Sequence, residues 1–388
     1  MLRARHTFVV QPEFARTEDG VRLAIKRFAR PGSQPVVLVH GLAQNHLSWD
    51  LPLPGRSFAE FLARRGFDVW CANLRGHGRG AFASDHSGRW DWCVDHFAAL
   101  DAPAIVGLVL GSTGLPPFWI GHSMGGLVAH MYLQGAQLLR TPGGPVLSAD
   151  PSLVAERNRS LRGLVALGSP ARLEMEGGLN AVYELASIVG DRNVVTRVLR
   201  RPGLAQRILR RMDHVPIRGL LHLFQRGRTE RHVLADLVRR ALHRSARRVT
   251  RLLTCRDIWH AANMDAEVLE AALHYTADDI SAPVMRQFID WVDHKTFRSD
   301  LAHVPEGGSP HVYADHYDRV TCPALLGGGV LDRLACIGTM ERIAFRRLGS
   351  ADKTFLPVPD AGHVDVLYGT RTSSTLYPLI GSWMANRV

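Results

Sequence analysis

The sequence predicts an α/β fold, in which a mostly parallel sheet is flanked by helices and interrupted by an inserted helical segment. Short apolar, β-branched runs alternate with helical patterns in both terminal parts of the chain, as in sheets covered on both faces. Between about 172 and 320 this alternation stops and helical patterns continue alone. With 388 residues, of which 46% are hydrophobic, the chain is long enough to bury a sizeable core.

The predicted strands share a short length and a dense apolar composition: PVVLVHG (35–41), FDVWCANL (67–74), FWIGH (118–122), LRGLVALGS (161–169), CPALLGGGVLD (322–332) and KTFLPVPDAGH (353–363). Helical patterns lie between them at 55–66 and 101–113. Ahead of them, Asp19-Gly20 separates two strand-like runs and indicates a hairpin.

The middle segment has the apolar spacing of amphipathic helices. Asp265 and Ser281 stand where N-caps precede helical runs, and Pro202-Gly203 and Gly307-Gly308 break the segment into pieces. The apolar pairs Val233/Leu234, Leu237/Val238 and Ala241/Leu242 recur at helical spacing with arginines on the opposite face. We therefore divide the chain into a first core part (1–171), a helical cap or lid insertion (172–320) and a second core part (321–388).

The net charge of +11 is concentrated in this insertion. Between Arg192 and Arg256 there are 18 arginines and three acids, a local net of +15, which leaves −4 for the rest of the chain. Such a segment is interpreted as a solvated helical face in an arginine-biased sequence, or as a peripheral contact with anionic membranes or lipid surfaces. Nucleic acid is not predicted as a partner, because no aromatic interleaving or binding motif accompanies the arginines.

The cysteines and the amino terminus bear on the compartment. The five cysteines are widely spaced, without a CxxC pair, so reduced and mostly buried thiols are expected. No run of eighteen apolar residues predicts a spanning helix, and the first residues lack a signal-peptide pattern. A cytoplasmic location is expected, and the sequence indicates no oligomeric state.

The stretch GHSMGG at 121–126 follows an apolar strand and opens a helical run. Glycines two before and two after Ser123 allow strand and helix to approach closely, so that the serine stands on a sharp bend. The helix amino terminus and the Met124 N–H then favour negative charge beside the serine. This context predicts that Ser123 is a nucleophile.

A second oxyanion donor is predicted in HGLAQNHLSW, directly after the strand at 35–41. The Leu42 N–H of this loop can face the same oxygen as the Met124 N–H. His40 is interpreted as a brace for the loop, because a histidine ahead of the nucleophile does not suit the chain order of this triad.

The general base is expected late in the chain, after an acid that ends a strand. DAGHVDVLYG places His363 in a loop after a predicted strand, and GGGVLDRLA places Asp332 at the end of the strand before it. Asp360 and Asp365 are rivals by sequence proximity alone. We predict that Asp332 orients His363 and that His363 takes the Ser123 proton.

With these residues the chain resembles the α/β-hydrolase superfamily, and within it the acid-lipase group of gastric and lysosomal lipases and their microbial relatives. The resemblance covers roughly 36–140 and 320–385, carried by HGLAQNHLSW, SFAEFLARRGFDVWCANLRGHGRG, WDWCVDHFAALDAPAIV, GGGVLDRLA and GHVDVLYGTRTSSTLYPLIGSWM. It implies the triad Ser123, Asp332 and His363, the oxyanion donors Leu42 and Met124, and a cap that gates access for lipidic esters. Members of this group are often secreted, which differs from the location expected above.

Further candidates lie around these residues. His40, Gly41, His122 and Trp49 are candidates for the substrate pocket, with core packing an equal alternative for Trp49. His303, His311, Asp315 and His316 cluster in sequence, but no closed ligand set accompanies them, so no metal is predicted.

The pattern predicts a serine carboxylic-ester hydrolase, a lipase or esterase acting on small-molecule or lipid esters without a cofactor. Two alternatives stay open. An acyltransferase or thioesterase would use the same triad, and a non-catalytic binding protein could share the fold.

Overall fold

The computed structural model describes residues 9–86, 88–173, 212–219 and 260–388. Their strands are β1 (Val9–Arg16), β2 (Arg22–Ala29), β3 (Pro35–Val39), β4 (Asp68–Ala72), β5 (Phe118–His122), β6 (Ala136–Thr141), β7 (Gly144–Ala149), β8 (Gly163–Leu167), β9 (His214–Val215), β10 (Ile280–Ser281), β11 (Ala324–Gly329) and β12 (Lys353–Val358). Eight of them form one sheet in the order β1-β2-β4-β3-β5-β8-β11-β12. From β4 to β12 the neighbours are parallel, and β1 and β2 add an antiparallel edge.

The principal described helices are α1 (Phe58–Arg64), α2 (Val94–Thr113), α3 (Met124–Leu133), α4 (Pro151–Arg159), α5 (Ala266–Tyr275), α6 (Ala282–His294), α7 (Asp365–Tyr368) and α8 (Leu376–Ala385). A shorter turn at Ile337–Thr339 continues as a π-turn over Met340–Ala344. Within α2, Phe97–Asp101 also forms a π-turn. Ser57 caps α1 and Ser281 caps α6, as the sequence predicts for Ser281, whereas the Asp265 side chain makes no cap bond.

The six predicted strands agree with the structure in position, and all of them except the edge strand β12 are buried on both faces. Every residue of β3, β4, β5, β8 and β11 is buried, which matches their unbroken apolar sequence rather than an alternating one. Asp19-Gly20 forms the predicted hairpin between β1 and β2, and Gly20 has φ +87°. The antiparallel pair β6–β7 was not predicted from the sequence.

The parallel arrangement fixes where the functional loops lie. The carboxyl ends of β3, β5, β8, β11 and β12 meet at one edge of the sheet, which is where open α/β sheets bind their ligands. Every loop that carries a predicted catalytic residue therefore follows a strand at this edge.

Most of the predicted insertion, including the bulk of the arginine-rich segment and its helical pattern, lies outside the described residues. The described part from 260 onward packs on the sheet: Ile280, Val284 and Trp291 belong to the same apolar cluster as Val37 and Trp119. The island 212–219 joins this part through the β9–β10 pair. The division into core and cap stays a prediction.

In the described part of the chain, the helix α2 is long and apolar enough to cross a membrane by length and composition. More than half of its most apolar window is buried inside the protein. Ile105, Val106 and Val109 belong to the main apolar cluster. The apolar residues of α2 are accordingly explained by their packing in the core.

The π-turn in α2 carries Asp101, which fixes the loop after β4. The Asp101 carboxylate accepts hydrogen bonds from the Arg75 backbone N–H (2.9 Å) and from Arg75 Nε (2.8 Å). Asp101 is fully buried, and the Arg75 side chain is 4% exposed. Burial raises the pKa of Asp101, and Arg75 opposes that shift. Asp19 completes the arrangement from the β1–β2 hairpin, at 2.7 Å from Arg75.

Replacing Asp101 by Ala should lower the free energy of unfolding by about 3–5 kcal/mol, because it leaves a buried guanidinium without its main partner. Urea denaturation of the purified variant measures this. Asp19→Ala is the matched control: Asp19 is a third exposed, so its loss should cost distinctly less. Equal losses in the two variants would contradict this account of the loop.

Candidate active site

Ser123 occupies the bend between β5 and α3. Its backbone has φ +51° and ψ −117°, a conformation that side-chain-bearing residues rarely adopt. Two bonds hold the bend: the Ser123 N–H donates to the Leu167 carbonyl (2.8 Å), and the Ser169 hydroxyl donates to the Ser123 carbonyl (2.9 Å). The side chain thereby faces the carboxyl edge of the sheet, with 8% of the residue exposed.

The glycines of the GHSMGG stretch are required by close backbone contacts. A Cβ on Gly121 would lie 2.3 Å from the Gly125 carbonyl carbon, and one on Gly125 would lie 2.4 Å from the Val39 carbonyl oxygen. A Cβ on Gly126 would lie 2.0 Å from the Ser169 hydroxyl oxygen. These contacts bring β5, α3 and β3 together; the close approach of β5 and α3 is the one that the sequence pattern predicts.

The structure brings Ser123, His363 and Asp332 together. His363 Nε2 lies 3.0 Å from Ser123 Oγ, and His363 Nδ1 lies 2.8 Å from Asp332 Oδ2. A carboxylate only accepts, so Nδ1 carries the imidazole proton and Nε2 is free to accept from the serine hydroxyl. The Asp332 side chain is fully buried, and its other oxygen accepts from the Leu334 and Ala335 amides, both at 2.8 Å.

The two rival carboxylates have other positions. Asp365 accepts from the Gly362 N–H at 2.9 Å and from the His260 N–H at 3.0 Å, so it ties the His363 loop to the segment at 260. Asp360 lies in the turn with φ +56°. Asp332 is the carboxylate that contacts the His363 ring.

The loop after β3 lies against the nucleophile. A Cβ on Gly41 would lie 3.3 Å from Ser123 Cβ, so Gly41 permits the loop to approach this closely. No hydrogen bond within the described residues occupies the N–H of Leu42 or of Met124. Both amides are thus free to donate to a ligand, which is the condition for the predicted oxyanion donors.

His40 and His122 are structural neighbours of the site. His40 is fully buried; its Nδ1–H donates to the Gly41 carbonyl (2.9 Å) and its Nε2 accepts from the Leu74 N–H (3.3 Å), which agrees with the predicted brace. His122 Nε2–H donates to the His363 carbonyl at 2.9 Å. Burial lowers the pKa of His122 to about 3, so this ring stays neutral and holds the base loop without competing for the proton.

Trp49 does not line an open pocket. The residue is 1% exposed and its ring packs at 5.9 Å from that of Phe58, inside an apolar cluster with Phe118 and Tyr377. The core-packing alternative therefore describes its position, directly after the short helical turn at His46–Ser48.

The histidines that cluster in sequence near 303–316 separate in the structure. His311 and His316 stack at 4.9 Å, whereas His303 contacts Asp95 at 2.9 Å. Within the described ranges, Cys93, His96 and His303 form a group with metal-ligand chemistry. His96 Nδ1 accepts from the Cys93 N–H in the cap of α2, and His303 Nδ1 contacts the Asp95 carboxylate. These contacts give the group a structural explanation.

Two neighbours of the triad were missed in the sequence. A Cβ on Gly168 would lie 3.4 Å from both Asp332 Oδ2 and His363 Nδ1, and its φ is +56°. Gly168 directly follows the buried strand β8, and this position is a signal in the sequence that could have indicated it. Gln44 Oε1 accepts from the Gly41 N–H at 3.2 Å, and no pattern in the sequence marks it.

The chain is similar to known hydrolases in part of its sequence and in its fold. Residues 34–138 match a protein-family model described as alpha/beta hydrolase fold. Lipase lipl-3 of Caenorhabditis elegans is 35% identical over 131 residues, which are 30% of this chain and 32% of that protein. Lipase member M of Homo sapiens is 35% identical over 122 residues, 28% of this chain and 29% of that protein. The chain thus spans about a third of the length of these curated relatives.

Among solved structures, the monoacylglycerol lipase of Paleococcus ferrophilus superposes with a TM-score of 0.53, covering 94% of this chain and 99% of that one. At 17% identity this likeness shows the fold. The predicted α/β-hydrolase fold class and the resemblance to lipases are confirmed by these matches. The catalytic roles of individual residues stay predictions.

Gly125→Ala should destabilise the protein by about 1–3 kcal/mol, because the added methyl has only backbone to displace. Gly107→Ala is the matched control, since Gly107 is also helical and a Cβ there meets nothing within 4 Å. That control should be neutral or slightly stabilising, by up to about 1 kcal/mol. Thermal unfolding of both variants tests the contact, and an unchanged transition for Gly125→Ala would contradict it.

Proposed function

We propose that this chain, an α/β-hydrolase with lipases among its relatives, is a serine carboxylic-ester hydrolase that works through an acyl-Ser123 intermediate. One observation carries the proposal: the chain of contacts from Ser123 Oγ to His363 (3.0 Å) and from His363 to Asp332 (2.8 Å). This is the hydrogen-bond order that a serine nucleophile, its general base and the base's orienting acid require.

In the first half of the reaction, His363 Nε2 takes the hydroxyl proton as Ser123 Oγ attacks the ester carbonyl carbon. The carbonyl oxygen becomes an oxyanion, and the unoccupied amides of Leu42 and Met124 donate to it. The tetrahedral adduct then collapses, and the C–O bond to the alcohol breaks. His363 returns its proton to the leaving alkoxide, which leaves acyl-Ser123 and a free alcohol.

In the second half, water replaces the alcohol. His363 Nε2 takes one water proton while the water oxygen attacks the acyl carbon, and the same two amides hold the second oxyanion. Collapse releases the carboxylic acid and returns the proton to Ser123 Oγ. Asp332 stays ionised throughout and stabilises the imidazolium, a role supported by its two amide donors.

The substrate class proposed is lipidic or otherwise hydrophobic esters. The curated relatives are named lipases, and the solved structure described above is a monoacylglycerol lipase. On this chain, Val330 and Leu331 are 48% and 39% exposed immediately before Asp332, at the same edge of the sheet as the nucleophile. Apolar side chains beside the site favour an acyl chain over a small polar group.

The predicted cellular location and the predicted contact with lipid surfaces are also part of this proposal. Cys71, Cys93, Cys322 and Cys336 are free thiols, which fits the expected reducing, cytoplasmic compartment. Contact of the arginine-rich segment with anionic lipid surfaces is proposed from its charge alone.

Acyl transfer to an alcohol or thiol, and thioester hydrolysis, use the same three residues. Product analysis with an added acceptor alcohol separates transfer from hydrolysis, because a transferase forms new ester faster than free acid. A non-catalytic binding protein would not require the acid, the base and both unoccupied amides together, so the geometry favours the enzyme.

A fluorophosphonate probe should label the wild-type chain with one equivalent and leave Ser123→Ala unlabelled, because only an activated serine attacks the phosphorus. The same substitution should lower kcat on a p-nitrophenyl ester by about 10³-fold or more. Intact mass spectrometry and initial rates measure the two effects. A folded wild-type chain that neither labels nor turns over esters would end the enzyme proposal.

On p-nitrophenyl esters graded from acetate to palmitate, kcat/KM should rise from acetate to the medium chains. The upper bound is about fourfold for each buried methylene, from about 0.8 kcal/mol of transfer free energy. Ser123→Ala measured on the same series supplies the background rate. A sharp maximum at acetate would be incompatible with the lipidic substrate class, while leaving the ester hydrolase intact.

A further inference from the structure

The loop that carries the Leu42 amide is unusual in its backbone. Ala43, the next residue, has φ +57°, a left-handed conformation that residues with a Cβ rarely adopt. Such a conformation persists only where neighbouring contacts impose it. The position of the Leu42 N–H therefore depends on the groups that hold Ala43 and the residues after it.

Those groups come from the segment before α6. The Asp278 backbone N–H donates to the Ala43 carbonyl at 2.8 Å. Asn45, two residues further along the loop, donates its side-chain amide to the Tyr275 carbonyl at 3.1 Å, three residues before Asp278. Asn45 and Asp278 are both fully buried, so these bonds do not exchange with solvent.

The Asp278 side chain extends the connection in two further directions. Its Oδ2 accepts from the Gly78 N–H at 2.7 Å, which fixes Asp278 to the loop after β4. Its Oδ1 lies 2.6 Å from a guanidinium nitrogen of Arg218, in the described island 212–219 of the predicted cap. One buried residue thus joins the oxyanion loop through its backbone N–H, and the core and a piece of the cap through its carboxylate.

We propose that Asp278 is a positioning residue for the oxyanion hole: its carboxylate, anchored to Gly78 and Arg218, fixes the backbone N–H that holds Ala43, and so holds the Leu42 N–H where the oxyanion forms. The proposal rests on the ester-hydrolase function proposed above. Asp278 acts through the Leu42 loop and does not itself touch substrate.

The electrostatics of the site agree with this assignment. Burial raises the pKa of Asp278 to about 6, and Arg218, the Gly78 N–H and Arg79 act against that shift. A buried carboxylate of this kind is costly unless its partners are all in place. The contacts with Gly78 and Arg218 therefore hold Asp278 in place, and its backbone N–H in turn holds Ala43.

The neighbouring Asp279 provides a matched control. Its Oδ1 accepts from the Arg218 backbone N–H at 2.9 Å, so it touches the same cap island. The described contacts give it no bond to the oxyanion loop. Asp279→Asn therefore perturbs the cap island while leaving the Leu42 loop attached.

The experiment compares Asp278→Ala, Asp278→Asn and Asp279→Asn with the wild-type chain on one p-nitrophenyl ester. Asp278→Ala should lower kcat by about 10- to 100-fold, with KM within about threefold, because the displaced amide acts mainly in the transition state. Asp278→Asn keeps an acceptor for Gly78 and should lose less. Asp279→Asn should stay within about threefold in both parameters.

A second readout separates positioning from a general structural effect. The inhibition constant of an alkyl boronic acid, which forms a tetrahedral adduct on the serine, should rise in parallel with the loss in kcat. Circular dichroism and thermal unfolding verify that each variant is folded, and Asp278→Asn carries the test if Asp278→Ala does not fold. Kinetics of a folded Asp278→Ala equal to those of Asp279→Asn, or a loss confined to KM, would overturn the proposal. If the wild-type chain itself neither hydrolyses esters nor binds the boronic acid, the proposed function fails instead.

Discussion

The backbone of Ser123 imposes the constraint on which the rest of the site depends. A non-glycine residue at φ +51° costs on the order of 1–3 kcal/mol, and it persists because its surroundings leave no alternative. Leu167 and Ser169 bond both sides of the residue, and Gly121 and Gly125 allow β5, α3 and β3 to contact through bare backbone. His363 and the loop after β3 then need only to reach one fixed oxygen, and Asp332 needs only to reach His363. Each of them follows the carboxyl end of a parallel strand of the same sheet.

Neutral histidines form much of the support around that oxygen. Burial lowers the pKa of His77 to about 4 and of His122 to about 3, and it holds the pKa of His40 well below its usual range. These rings donate and accept fixed hydrogen bonds at physiological pH without adding positive charge. The His363 ring is consequently paired with Asp332 and has a neutral ring, His122, beside it.

Much of the fold and of the candidate site could be predicted because the sequence pattern is local there. Buried strands read as unbroken apolar runs, and the bend at Ser123 needs glycines at set distances. Asp332 and His363 follow strands in a known chain order. Asp278 could not be predicted, because its partners at 43, 78 and 218 meet only in three dimensions. The same holds for the Arg75–Asp101 pair and for the contact of His303 with Asp95. The sequence could not decide between pocket and core for Trp49 for a related reason, since a tryptophan near a site has the same sequence pattern whether it faces a cavity or the core.

The order of strands in the sheet also bears on how the nascent chain matures. Ser123 and His363 are 240 residues apart, and β8 finds its partner β11 only after the whole intervening segment has been synthesised. At ribosomal rates of about 5–20 residues per second, the edge of β8 that pairs with β11 stays unpaired for on the order of ten seconds. An unpaired strand edge can pair with another chain and cause aggregation. Chaperones protect such a chain while only the first half of its sheet has formed. The hydroxyl at 123 meanwhile has no imidazole beside it, because the contact of Ser123 Oγ with His363 Nε2 forms only once β11 and β12 have joined the sheet.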